Sequence, residues 1–163
     1  MNDYTSKEDE DFFGSIGRLT ISWAYIELGI DLAVSTIYRQ LGGDKIDKRM
    51  PFALQRKLTF LKQAANVIAT LSPYRDRLIN LAHAVEKHSG TRHYINHGFV
   101  VEHLSEVPRR AKLVRLLRKG DTASFKPVVV TTISILEEAV KADQIATHSL
   151  ALGIDLARNF GRE

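Results

Sequence analysis

The sequence predicts a mainly all-α fold: an up-down bundle of four long helices with a small β hairpin or sheet before the last helix. Three observations predict it. Apolar residues recur at alternating steps of three and four along both ends of the chain, the period of an amphipathic helix. Breakers are few and cut the chain into long pieces: Gly42-Gly43, Ser72-Pro73 and Gly98. After Gly98 the composition turns β-branched and aromatic, with a turn signal at Lys119-Gly120-Asp121. The whole chain, 1–163, reads as a single domain, long enough to bury its own core.

Residues 1–10 are polar and acidic and are expected to be disordered or frayed. The first helix is predicted from about Asp11. Its stripe is Ile16, Leu19, Trp23, Ile26, Ile30, Ala33 and Ile37, and it ends near Leu41 before Gly42-Gly43. Glu27 follows the stripe by one position, within helical reach of Trp23 and Asp31, and its ordinary reading is a solvated flank. Residues 42–51 form a polar linker ending in Met50-Pro51, with the proline placed for the first position of a helix. The second helix buries Leu54, Leu58, Leu61, Ala65 and Ile68 and is closed by Ser72-Pro73.

The third helix starts near Tyr74. Its stripe Leu78, Leu81, Ala82, Val85 continues past His88 to Arg92 and Asn96, so Arg92 is aimed where a core residue would stand. Gly90 weakens this helix by about 1 kcal/mol relative to alanine and marks a kink or a close approach of another backbone. Gly98 is expected to close the helix in the left-handed conformation, leaving His97 in the last turn.

Residues 99–130 read as a small β and basic insertion. Its runs are Phe99 to Leu104, Lys112 to Leu117 and Phe125 to Val130, and Pro127 confines its strand to an edge. A short helix over 108–119 is the alternative, because Leu113, Leu116 and Leu117 also fit helical spacing. The last helix is predicted from about Ser134 to Phe160, with Ser134 and Glu137 spaced as a capping box. Its stripe of mostly small residues is Ile135, Ala139, Ala142, Ala146, Ser149, Gly153 and Leu156.

Composition narrows the function classes. Apolar residues make up 44% and charged residues 26%, as in ordinary globular proteins. With no cysteine, thiol catalysis, disulfides and cysteine metal sites are excluded. No apolar run reaches membrane-spanning length and no targeting segment is recognisable, so a cytoplasmic location without membrane association is expected. The net charge of +4 permits an anionic partner without requiring one. There is no glycine-rich phosphate loop or dinucleotide fingerprint, and no cofactor is expected.

The chemistry concentrates between Gly90 and Gly98, in Gly90-Thr91-Arg92-His93-Tyr94-Ile95-Asn96-His97-Gly98. A histidine can take the proton of an RNA 2′-hydroxyl or protonate the leaving 5′-oxygen. An arginine can hold the non-bridging phosphate oxygens and offset the charge that builds on them. Five residues is roughly 140° of helix, so Arg92 and His97 do not share a face, and a second copy of the helix would complete the site. The structural alternative pairs Arg92 with a buried acid such as Glu27 or Glu86 and leaves His97 as a cap.

Arg92-His93, three residues and His97 resemble the signature of the HEPN superfamily of helical domains. The position late in the third long helix is similar too, as is an early helix bearing Trp23 and Glu27. The resemblance implies an all-α bundle and a homodimer with its two motifs facing each other. It also implies metal-independent RNA cleavage that leaves a 2′,3′-cyclic phosphate. By carry-over Arg92 and His97 would be catalytic and His93 a polar helper, with Asn96 and Glu27 in support. Histidine at the second position is less usual there than asparagine. Family members also include inactive proteins and partners of nucleotidyltransferases.

Two further constellations stand beside this one. His93 and His97 are four apart and could share an ion if His88 or Glu86 joined them, but the glutamate of the zinc-protease pattern is missing, and no metal site is assigned. Arg109, Arg110, Lys112, Arg115, Arg118 and Lys119 form a run without an acid that could follow an RNA backbone or simply solvate a hairpin. The expected function is therefore a homodimeric, metal-independent endoribonuclease, a toxin or defence effector, with an antitoxin or nucleotidyltransferase as a further partner. The alternative is a non-catalytic helical interaction module in which Arg92 and His97 are structural.

Overall fold

The structure, a computed structural model, describes residues 7–105, 110–119 and 122–161. It is mainly helical: α1 (Lys7–Gln40), α2 (Leu54–Val67), α3 (Arg75–His97) and α4 (Thr132–Phe160), with strands β1 (Phe99–Ser105), β2 (Arg110–Lys119) and β3 (Thr122–Thr131) before the last helix. The chain forms two compact units, 1–22 with 88–142 and 23–87 with 143–163, and α1, α3 and α4 each contribute to both.

The unit built from 23–87 and 143–163 is a ring of four helical neighbours. Ser149 of α4 donates to the Ile26 carbonyl of α1 at 2.8 Å. Arg77 of α3 holds Asp155 of α4 at 2.9 Å. Lys62 of α2 holds Glu86 of α3 at 2.7 Å, and Lys57 of α2 pairs with Asp31 of α1. Inside lie Trp23, Ile26, Ile30, Ala33 and Ile37 of α1, with Leu58 and Leu61 of α2. Leu78, Leu81, Ala82 and Val85 of α3 and Ala146, Ser149, Gly153 and Leu156 of α4 complete this core. The stripes read from periodicity are thus the buried faces, apart from half-buried Ile16, Leu54 and Ile68 and the end of the α3 stripe at His88, Arg92 and Asn96.

The other unit joins the first part of α1 and the end of α3 to the sheet and the start of α4. The sheet is antiparallel in the order β1-β2-β3. Alternation along β2 buries Ala111 and Leu113, paired with Val130 and Val128, and turns Arg110 and Lys112 to the opposite face, paired with Thr131 and Val129. Pro127 stands opposite Val114 on edge strand β3, where one side of the backbone has no neighbouring strand to donate to. The helical alternative for 108–119 is overturned over Arg110–Lys119, which is a strand, while 108 and 109 lie outside the described residues. Pairing of this strand with β3 along its whole length, and with β1 from Arg110 to Val114, outweighs a leucine spacing compatible with either state.

Several boundaries move. Residues 7–10 are helical, not frayed. Glu8, Asp9 and Glu10 suit the positive end of the α1 dipole, and buried Phe12 anchors the turn that follows. Pro51 is buried ahead of α2, whose N-cap is Ala53. The second helix stops at Val67, and a 3-10 segment over Ala69–Tyr74 carries Ser72-Pro73. The capping box of α4 is one turn earlier than predicted. Thr131 N donates to Ser134 Oγ at 2.9 Å, and Ser134 N donates to Thr131 Oγ1 at 3.0 Å.

Candidate functional site

The last turns of α3 carry the predicted motif on unbroken helix. The helix runs on through Gly90, and among the described residues of this chain nothing lies within 4 Å of a Cβ added there. It also keeps positions 92 and 97 roughly 140° apart about the axis. Arg92 and His93 are half-buried, and the Arg92 Nε and His93 Nδ1 atoms are shielded from solvent. Asn96 is exposed, so the stripe that buries Leu78 to Val85 has opened to the surface by the end of the helix. His97 is the final helical residue. Glu27 is half-buried on α1 in the other unit.

Gly98 ends α3 as predicted, but by a different route. Its N–H donates to the Tyr94 carbonyl at 2.9 Å. Its φ is not positive; among the described residues that conformation belongs to Gly42 after α1. A Cβ on Gly98 would overlap the Tyr94 carbonyl oxygen and touch the Val114 carbonyl of β2 at 3.4 Å. The glycine is needed for close approach where helix passes into sheet, not for a left-handed turn.

Beside the motif the structure assembles a charged group that the sequence reading did not find. His88 Nδ1 of α3 lies 3.2 Å from Glu138 Oε2 of α4, and Glu138 Oε1 accepts from Lys141 Nζ at 2.8 Å. Burial raises the Glu138 carboxyl, but hydrogen bonds from Lys141 and His88 and their charges outweigh it and hold the carboxyl below its ordinary range. The same contact raises Lys141. His88 was visible on the α3 stripe; Glu138 had no signal beyond its place beside buried Ala139. Glu86, offered as a buried partner for Arg92, holds Lys62 and the Gln55 amide in the other unit. Among the described residues no three His, Asp or Glu side chains are grouped as metal ligands.

The basic run is placed on β2. Arg110 is exposed and Lys112 half-buried on its outward face, and Arg115, Arg118 and Lys119 follow along the strand. Arg109 lies outside the described residues. Exposed Phe125 and Val129 stand on the neighbouring edge strand β3, with Val129 opposite Lys112. In the other unit, a cleft of about 320 Å³ between α3 and α4 is lined by Leu81, Ala84, Ile145 and Leu152, with Arg77 and His148; none of the predicted site residues borders it.

No helix among the described residues is long and apolar enough to cross a membrane. No protein-family model matches the chain, and no curated protein and no solved structure matches it.

Proposed function

We propose that the chain is a metal-independent endoribonuclease of HEPN type that acts as a homodimer. The observation that carries this reading is the setting of Arg92. It stands half-buried on unbroken helix, about one and a half turns before α3 ends at His97. A half-buried guanidinium near the end of the helix is of the right chemistry for a phosphate, since its planar N–H donors match the phosphoryl oxygens. His97, on the adjoining turn, is the proton-transfer group: it takes the proton from a 2′-hydroxyl, whose oxygen attacks phosphorus and displaces the 5′-oxygen, which leaves as a hydroxyl with a proton returned by the imidazolium. Arg92 offsets the charge on the phosphoryl oxygens as that attack proceeds.

The roughly 140° between the two positions calls for a second α3. Support for self-association comes from α4. Ile133, Leu136 and Val140 recur on one helical face and stay 56%, 38% and 45% exposed, a row of apolar side chains suited to a partner surface. The same row serves a non-catalytic interaction module, so the nuclease assay separates the two readings.

That assay incubates the purified protein with RNA in the presence of a chelator and analyses the ends produced. Cleavage leaving a 2′,3′-cyclic phosphate, reduced about 100-fold or more in His97→Ala, is expected. Undiminished cleavage by that variant, or cleavage that the chelator stops, would overturn the mechanism. Light scattering is expected to report a dimer, and a strict monomer that still cleaves would remove the paired-helix site.

A further inference from the structure

The segment between α1 and α2 is fixed in place at several points. Gly42 turns the chain with φ 76°, and Gly43 is buried where a Cβ would lie 2.6 Å from Tyr38 Cα and 2.8 Å from the Phe60 ring. The Asp47 carboxylate accepts from Arg49 N at 3.3 Å and from Arg56 Nη2 at 2.6 Å, and Pro51 is buried. A segment held this way could have turned its apolar side chains inward. Instead it presents Met50 at 45% exposure and Phe52 at 91%, the most exposed large apolar side chain among the described residues. Lys57 Nζ lies 5.7 Å from the Phe52 ring centroid while paired with Asp31. Lys45, Lys48 and Arg49 are exposed on the same segment, and Arg56 keeps 61% of its side chain open beside Asp47.

We infer that Phe52 is a stacking platform for a base of single-stranded nucleic acid, with Lys48 and Arg49 on the flanking phosphates. An outward aromatic ring among exposed cations supplies the two things a single strand offers contacts for: the face of a base and a string of phosphates. Pre-ordering of the loop means little conformational freedom is lost when the ring is covered. A membrane surface fits less well, because only two large apolar side chains project and Asp44 and Asp47 sit among the cations. The inference deepens the ribonuclease reading and rests on it for the choice of RNA, but its test measures binding and not cleavage.

The experiment uses the full chain and a labelled 2′-fluoro oligouridylate, which lacks the nucleophilic hydroxyl and is bound without being cut. Fluorescence anisotropy is expected to show Phe52→Ala weakening binding by about five- to 100-fold, with Phe52→Tyr retaining most of the affinity. Replacing the bases with abasic sugars should remove the difference between wild type and Phe52→Ala. Lys48→Gln with Arg49→Gln should lower the salt slope by about 1.4 units at 0.7 per lost contact. Equal binding by wild type and Phe52→Ala overturns the inference. So does association with anionic phospholipid vesicles that Phe52→Ala abolishes while oligonucleotide binding is unchanged. Phe52-dependent binding without cleavage of natural RNA would leave the platform standing and remove the nuclease. Cleavage with Phe52-independent binding would do the opposite.

Discussion

Gly29 of α1 and Ser149 of α4 are in backbone contact: a Cβ built on Gly29 would lie 2.5 Å from the Ser149 carbonyl oxygen. The approach is reinforced one turn on, where a Cβ on Gly153 would lie 2.5 Å from the Gly29 carbonyl oxygen, and by the 2.8 Å bond from Ser149 Oγ to Ile26 O. Backbone on both sides cannot swing away as a side chain could. Gly29→Ala and Gly153→Ala are therefore expected to destabilise by about 1–3 kcal/mol, as overpacking does. Gly90→Ala, in open space on an exposed helical position, should stabilise by up to about 1 kcal/mol. Urea denaturation of the three variants checks the difference in sign.

Arg92 separates activity from stability. If it serves phosphate, Arg92→Ala should lose cleavage by about 100-fold or more while the melting temperature holds or rises, because a half-buried charge has been removed. If it is a structural ion-pair member, the same change should lower the melting temperature, and no cleavage will exist to be lost. Arg92→Lys keeps charge but not the planar fork, and should restore stability more than rate.

Glu138 links the fold to acid. Its folded carboxyl titrates below the ordinary 4.5 because Lys141 and His88 hold it ionised against the effect of burial. The depressed value means that its stabilising contribution is complete above about pH 4.5 and is lost as pH falls through the lower, folded value. Glu86 behaves alike, through Lys62 and Gln55. The Glu138→Gln variant should start less stable near neutrality and lose less stability between about pH 6 and about pH 3.5 than wild type. Parallel slopes in thermal melts would show that the carboxylate contributes nothing to acid sensitivity.

Strand β2 gives a salt-dependence prediction. Neutralising Arg110 and Lys112 on its outward face should reduce the slope of RNA affinity against salt by about 1.4 units, at 0.7 per lost single-strand contact. A slope that does not move, measured by anisotropy across a salt series, assigns these cations to solvation of the sheet.

Periodicity alone determined the helices and their buried faces. Every member of the α4 stripe from Ile135 to Leu156 is buried, and so is the α1 stripe from Leu19 to Ile37, because a face repeated over many turns leaves one way to exclude water. Breakers determined where α1 and α3 end, before Gly42 and at Gly98, and Pro127 lies on an edge strand as its missing N–H favours. The tertiary structure decided what depends on partners distant in sequence. It chose strand over helix for 110–119, since the deciding hydrogen bonds belong to β1 and β3. It set the reason for Gly98 through the nearby Val114 carbonyl, and it brought Glu138 to His88 from 50 residues away. It also left Phe52 outside, where a local pattern of apolar and basic residues could equally have read as core and flank. Local rules act over a turn or two of chain. Burial, pairing and charge contact are settled by which segments meet, and that is a property of the folded chain.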